Sequence, residues 1–186
     1  MTMLLKRHCF TTADYLKMAD VGILSEDDRV ELIEGEIIEM APIGRGHNSD
    51  VDRLNWHFVR GLGERAIVRV QGSIHLRDGS DPEPDLVILR PRPDFYAAVD
   101  AGPADVFLII EVADSSLAYD RDFKIPLYAR YGIPEAWLVD LNGKSITVYR
   151  DPSPDGYRQI ITVRDDERLS PQAFPEFMLT ASQILG

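Results

Sequence analysis

Apolar and polar positions fall along this chain in blocks whose period switches between two and nearly four, and the blocks predict the elements. The stretch 106–113 (VFLIIEVA) is apolar everywhere except Glu111, and Asp85 heads a second such run, Leu86–Leu89. Short apolar runs rich in β-branched residues predict strands buried on both faces. Residues 136–140 (AWLVD) read the same way. Arg29–Ile33 and Glu36–Met40 flank Glu34–Gly35, which predicts a tight β-hairpin with Gly35 supplying positive φ. Val51, Leu54, Phe58 and Leu62 recur at helical spacing, so a helix is expected from about Gly44 to Leu62, stopped by Gly63. Thr11 and Thr12 open a short capped helix that ends at Gly22.

Further strands are expected at about 66–71 and 73–77, and a loop with Pro91, Pro93 and Gly102 precedes the run at 106–113. A helix from about Asp120 to Tyr131, closed by Gly132 and Pro134, must hold Pro126 near its first turn or kink around it. Asn142–Gly143 predicts a hairpin turn into 145–149. A strand near 157–163 and a short helix from Thr180 complete the pattern. No repeat or linker interrupts it, so 1–186 reads as one α/β domain: a mixed sheet with a helix on each face and an antiparallel β extension.

Composition narrows the setting. The formal charge of −11 argues against a broad non-specific nucleic-acid surface, though not against a local basic groove or a metal-bridged phosphate. Arginine outnumbers lysine sixteen to four, so each lysine carries information. Cys9 is the only cysteine and excludes an internal disulfide. No apolar run is long enough to span a membrane, and Met1–His8 lacks the apolar core of a signal peptide; a reducing cytoplasm is the expected location.

The chemistry lies in the acids that interrupt the apolar runs. An ionised carboxylate taken from water costs several kcal/mol unless it is paired. Asp85 and Glu111, on what read as neighbouring strands, would repel each other, and a divalent cation or a lysine would relieve the repulsion. Pro84–Asp85 followed 26 positions on by Glu111 (111 − 85) matches the outline of the PD-(D/E)XK nuclease core. In that pattern two acids hold Mg²⁺ against a scissile phosphate, because Mg²⁺ takes hard oxygen ligands and keeps waters that can serve as nucleophile.

Longer segments carry a more specific resemblance. Glu31–Met40, Pro84–Asp85–Leu86, Ile110–Lys124 and Leu127–Asp140, in that order, closely resemble the Uma2 family of restriction-endonuclease-like proteins. The resemblance spans nearly the whole chain. It implies a restriction endonuclease-like α/β/α core, with Asp85 and Glu111 as metal-binding acids, Glu31 as a third acid, and the Val112 carbonyl completing the sphere of Mg²⁺ or Mn²⁺. Glu111–Val112–Ala113 has alanine where Glu-x-Lys would place the lysine; the family match for that lysine is Lys124 on the following helix. On a helix, Lys124, Tyr128 and Tyr131 share a face.

Plainer roles compete at each position. Asp85 and Glu111 could be strand-end acids paired with arginine, Lys124 a solvated helix lysine paired with Asp120, and Glu31 a solvent-facing hairpin acid. His47 could meet phosphate or metal at a helix start, or merely cap it. Tyr128 and Tyr131 are more often core than site. His8, His57 and His75 lack metal-ligand spacing, Ser115–Ser116 lacks a His/Asp partner arrangement, and Trp56 and Trp137 read as packing residues. The expectation is a Mg²⁺-dependent endonuclease hydrolysing DNA, working as a homodimer because two-fold symmetry suits a duplex. The alternative is a non-catalytic nucleic-acid-binding or regulatory module on the same scaffold.

Overall fold

The strand run Val106–Ala113, apolar but for Glu111, lies in the interior of the sheet. In the computed structural model, which describes residues 7–25, 27–40, 44–77 and 79–186, a six-stranded sheet runs in the order β3 (Ile67–Val70), β4 (Leu86–Leu89), β5 (Val106–Ala113), β6 (Glu135–Asp140), β7 (Ser145–Ser153), β8 (Gly156–Val163). Only β5 and β6 are parallel. Their crossover carries the helical segment that covers one face, the geometry that parallel neighbours need. Met1–Lys6, most of the stretch bearing on the signal-peptide question, lie outside the described residues.

Strand alternation splits the core in two. Leu108, Ile110 and Val112, with Trp137 and Val139, face helix α2 (Arg45–Leu62) and helix α5 (Ala181–Leu185); Ile109 and Ala113, with Ala136 and Leu138, face helix α4 (Ile125–Arg130). Helix α2 buries Val51, Leu54, Phe58 and Leu62, the stripe its spacing predicts. Helix α1 (Thr12–Asp20) opens on a Thr11–Asp14 capping box, and α5 on a Thr180–Gln183 one. Short pairs β1 (Val30–Ile33) with β2 (Glu36–Glu39) and β9 (Arg168–Leu169) with β10 (Leu179–Thr180) flank the sheet.

Three expectations are corrected. Residues 73–77 form no strand: Ile74 and Leu76 are fully buried, but their N–H groups reach Pro82 and Ser80, and that of His75 reaches Ala101, so burial alternates without a ladder. The helix expected from Asp120 begins instead at α3 (Leu117–Tyr119) and passes through a π-helical turn, Asp120–Lys124, before α4. Pro126 comes two residues after that turn, in the first turn of α4. A proline inside an α-helix lacks its N–H and crowds the carbonyl four residues back, and the wider turn spares the helix that conflict. Trp56 is exposed, with Arg60 over its ring, whereas Trp137 is fully buried.

In the β1–β2 turn both Glu34 (φ 50°) and Gly35 (φ 81°) are left-handed, the form that continues strand twist. A Cβ on Gly35 would lie 2.5 Å from Cys9 Cβ, and its N–H and C=O bond Gly79 and Phe10. Gly35→Ala therefore meets both strain and a clash; a loss of about 2–3 kcal/mol is expected in chemical denaturation.

Candidate active site

Sheet register builds the floor of the site. Leu86 pairs with Ile110, and one further step places Asp85 opposite Glu111, both on the face that Val87 and Ile109 share. Glu111 thus takes a position where its strand neighbours on that face are core residues; it is buried. Its Oε1 accepts from Lys124 Nζ at 2.9 Å and from the Tyr128 hydroxyl. Lys124, equally buried, also reaches Glu31 Oε2 at 3.2 Å. Glu31 is held by the Glu83 N–H (3.1 Å) and the Tyr119 hydroxyl (3.3 Å). The π-helical turn lets Asp120 and Lys124 both point inward, and Ser116 Oγ donates to Asp120 at 2.6 Å.

Asp85 sits at the rim of this cluster. Its Oδ2 accepts the Val112 N–H at 2.8 Å and its Oδ1 lies 3.0 Å from His47 Nε2. His47 Nδ1 is buried with no hydrogen-bond partner among the described residues. All these groups except Tyr128 line one cleft of about 310 Å³. Of the residues named from sequence, Asp85, Glu111, Val112, Lys124, Glu31 and His47 line it, and Tyr128 bonds Glu111 from beneath; Tyr131, at the end of α4, stays with the core and does not reach the acids. Sequence reasoning missed Arg29, Glu83, Tyr119 and a buried Asp120, which also line it.

The charges are unbalanced. Seven acids line the cleft against Arg29, Lys124 and His47. Burial pushes the Glu111 carboxyl up to about 8, against the pull of Lys124 and with the help of Asp120 and Asp85. Burial likewise raises Asp120 and Glu83. Burial alone would lower the Lys124 ammonium, but Glu111, Glu31 and Asp120 outweigh it and keep it charged. His47 is raised by its hydrogen bond to Asp85. Such a cluster invites further positive charge.

A mixed sheet carrying acids and one buried lysine at the edge of a β4–β5 pair, covered by a helical crossover, defines a nuclease-like α/β architecture. The sequence profile of the Uma2 family, described as "Putative restriction endonuclease", matches residues 12–182, and this chain belongs to that family. Its fold is similar to that of a crystal structure from Anabaena variabilis ATCC 29413, described as "a putative nuclease belonging to DUF820". The TM-score is 0.74 at 17% identity, over 95% of this chain and 97% of the other. No curated protein matches in sequence. Among the described residues, no helix is long and apolar enough to cross a membrane.

Proposed function

We propose that this protein is a divalent-cation-dependent nuclease that hydrolyses phosphodiester bonds of DNA in the Asp85–Glu111 cleft. The observation carrying the reading is the buried ammonium of Lys124 between Glu31 and Glu111, with Asp85 across the strand pair. A buried lysine shared by two acids, beside a third, is more than a fold needs for stability. Family membership supports the same reaction class.

The donor chemistry fits Mg²⁺ or Mn²⁺. Asp85, Glu111 and the Val112 carbonyl would hold the ion through oxygen alone, and Mg²⁺ is ordinarily bound by one or two carboxylates plus waters and substrate phosphate. Among the described residues no three acidic, His or Cys side chains converge as a cage; substrate phosphate and water would supply the remaining ligands. When bound, the ion supplies charge for the phosphate and an acidified water.

The chain's own groups do the rest. Lys124 keeps its charge and can donate to a phosphate oxygen or the attacking water. Glu31, fixed by Glu83 and Tyr119, aims that ammonium. Tyr128 sets the orientation of Glu111. His47 steadies Asp85 through Nε2. A two-fold assembly of this chain is part of the proposal, checked by sedimentation velocity.

Calorimetry with Mg²⁺ and Mn²⁺ tests the site: wild type should bind, and Asp85→Asn should lose at least about tenfold in affinity. Asp85→Ala and Glu111→Ala should stop cleavage with circular dichroism unchanged; cleavage by either variant refutes the assignment. Absence of both metal binding and cleavage in the wild type would favour the non-catalytic module.

A further inference from the structure

The walls of the cleft differ in kind from its floor. Above the acids, Tyr119 lines the cleft together with Ile38 and Met40 from β2 and its end. Phe123 stacks on Tyr119 with ring centroids 5.6 Å apart and planes 26° from parallel, yet is 62% exposed. Lone exposed apolar residues need no explanation. This one is part of a two-ring stack on the turn that also delivers Asp120 and Lys124 into the site.

We propose that the Tyr119–Phe123 pair is a stacking platform for an unpaired nucleobase beside the reacting phosphate, so that the substrate is single-stranded or locally unpaired nucleic acid. The inference rests on the nuclease reading above and narrows its substrate. The electrostatics favour it. Duplex binding draws most of its affinity from cations facing many phosphates, whereas this cleft has seven acids against three basic residues, in a chain of charge −11. Stacking on aromatic rings does not depend on net charge and is indifferent to sequence. It needs the face of a base, which a paired helix hides.

Binding is read by fluorescence anisotropy of three labelled probes in Ca²⁺: an oligothymidylate of about a dozen nucleotides, its duplex with oligoadenylate, and an abasic oligomer of the same length. Wild type should bind the oligothymidylate about tenfold more tightly than the other two. Phe123→Ala should remove most of that preference and leave abasic binding unchanged, and Phe123→Trp should restore it. The exposure of Phe123 makes both variants foldable, checked by melting. Equal binding of all three probes, preference for the duplex, no binding at all, or an unaltered Phe123→Ala each overturns the platform. Cleavage of the abasic oligomer in Mn²⁺ is scored separately. Turnover without base preference removes the platform and leaves the nuclease; Phe123-dependent binding of the oligothymidylate without any turnover keeps the platform and removes the nuclease.

Discussion

Lys124→Met is expected to damage both the fold and the reaction. The ammonium is buried between Glu111 and Glu31 at 2.9 and 3.2 Å, so its removal leaves two carboxylates facing each other out of water. Removing one partner from a buried ionic cluster typically costs about 3–5 kcal/mol. The pH dependence has a definite sign. Glu111 is already pushed from 4.5 up to about 8 with the lysine in place, and loss of the lysine moves it higher still. A carboxyl whose folded value exceeds its unfolded value destabilises the fold when ionised. The part of the deficit that comes from Glu111 should therefore be absent up to about pH 8, where both folded proteins hold the carboxyl neutral, and grow above pH 8 toward the variant's still higher value. Urea denaturation at pH 5 and pH 9 checks it; a deficit independent of pH, or none, sinks the shared-ammonium picture. On cleavage, loss of one preorganised charge at the phosphate predicts a fall of about a hundred- to thousandfold at a pH where the variant is folded.

The residues behind that expectation are partly legible in the sequence. Asp85 and Glu111 stand out because they interrupt apolar runs, but it takes the register of Leu86 with Ile110 to put both on one face. Lys124 stands out because lysines are scarce. What the sequence does not disclose is how Lys124 gets in. A regular helix from Asp120 gives the plain solvated Asp120–Lys124 pair, whereas the π-helical turn buries both residues. The only cue to the turn is Pro126, whose effect depends on where the helix starts, and the start lies at Leu117 rather than Asp120. Glu83 and Arg29 reach the cleft from irregular segments, where no periodicity assigns a side-chain direction. The 73–77 stretch fails for the opposite reason. Its alternation reports burial faithfully, but hydrogen-bond partners come from loops, which no pattern in one strand can specify.

The same logic predicts a second large effect away from the chemistry. Glu135 begins β6 completely buried, on the Trp137 side of the sheet and so across it from Lys124. Its Oε1 accepts from Trp137 Nε1 at 2.8 Å and from Arg150 Nε at 2.9 Å, and its Oε2 takes the Gln172 N–H. Arg150 continues to the Ser170 carbonyl, so one carboxylate ties β6 to β7 and to the segment leading toward β10. Glu135→Ala leaves a guanidinium and two N–H donors without their acceptor in the interior, a loss of about 3–5 kcal/mol. In a chain of this length that corresponds to a melting temperature lower by about ten degrees. Glu135→Gln keeps one acceptor oxygen and should fall between. Glu135→Leu combined with Arg150→Met should recover part of the loss, because apolar groups of similar volume replace a buried pair with little penalty. Metal affinity of the folded fraction should match wild type in all of these variants. A Glu135→Ala protein melting within a degree or two of wild type, or one that loses metal binding while still folded, would break the separation between this structural acid and the acids of the cleft.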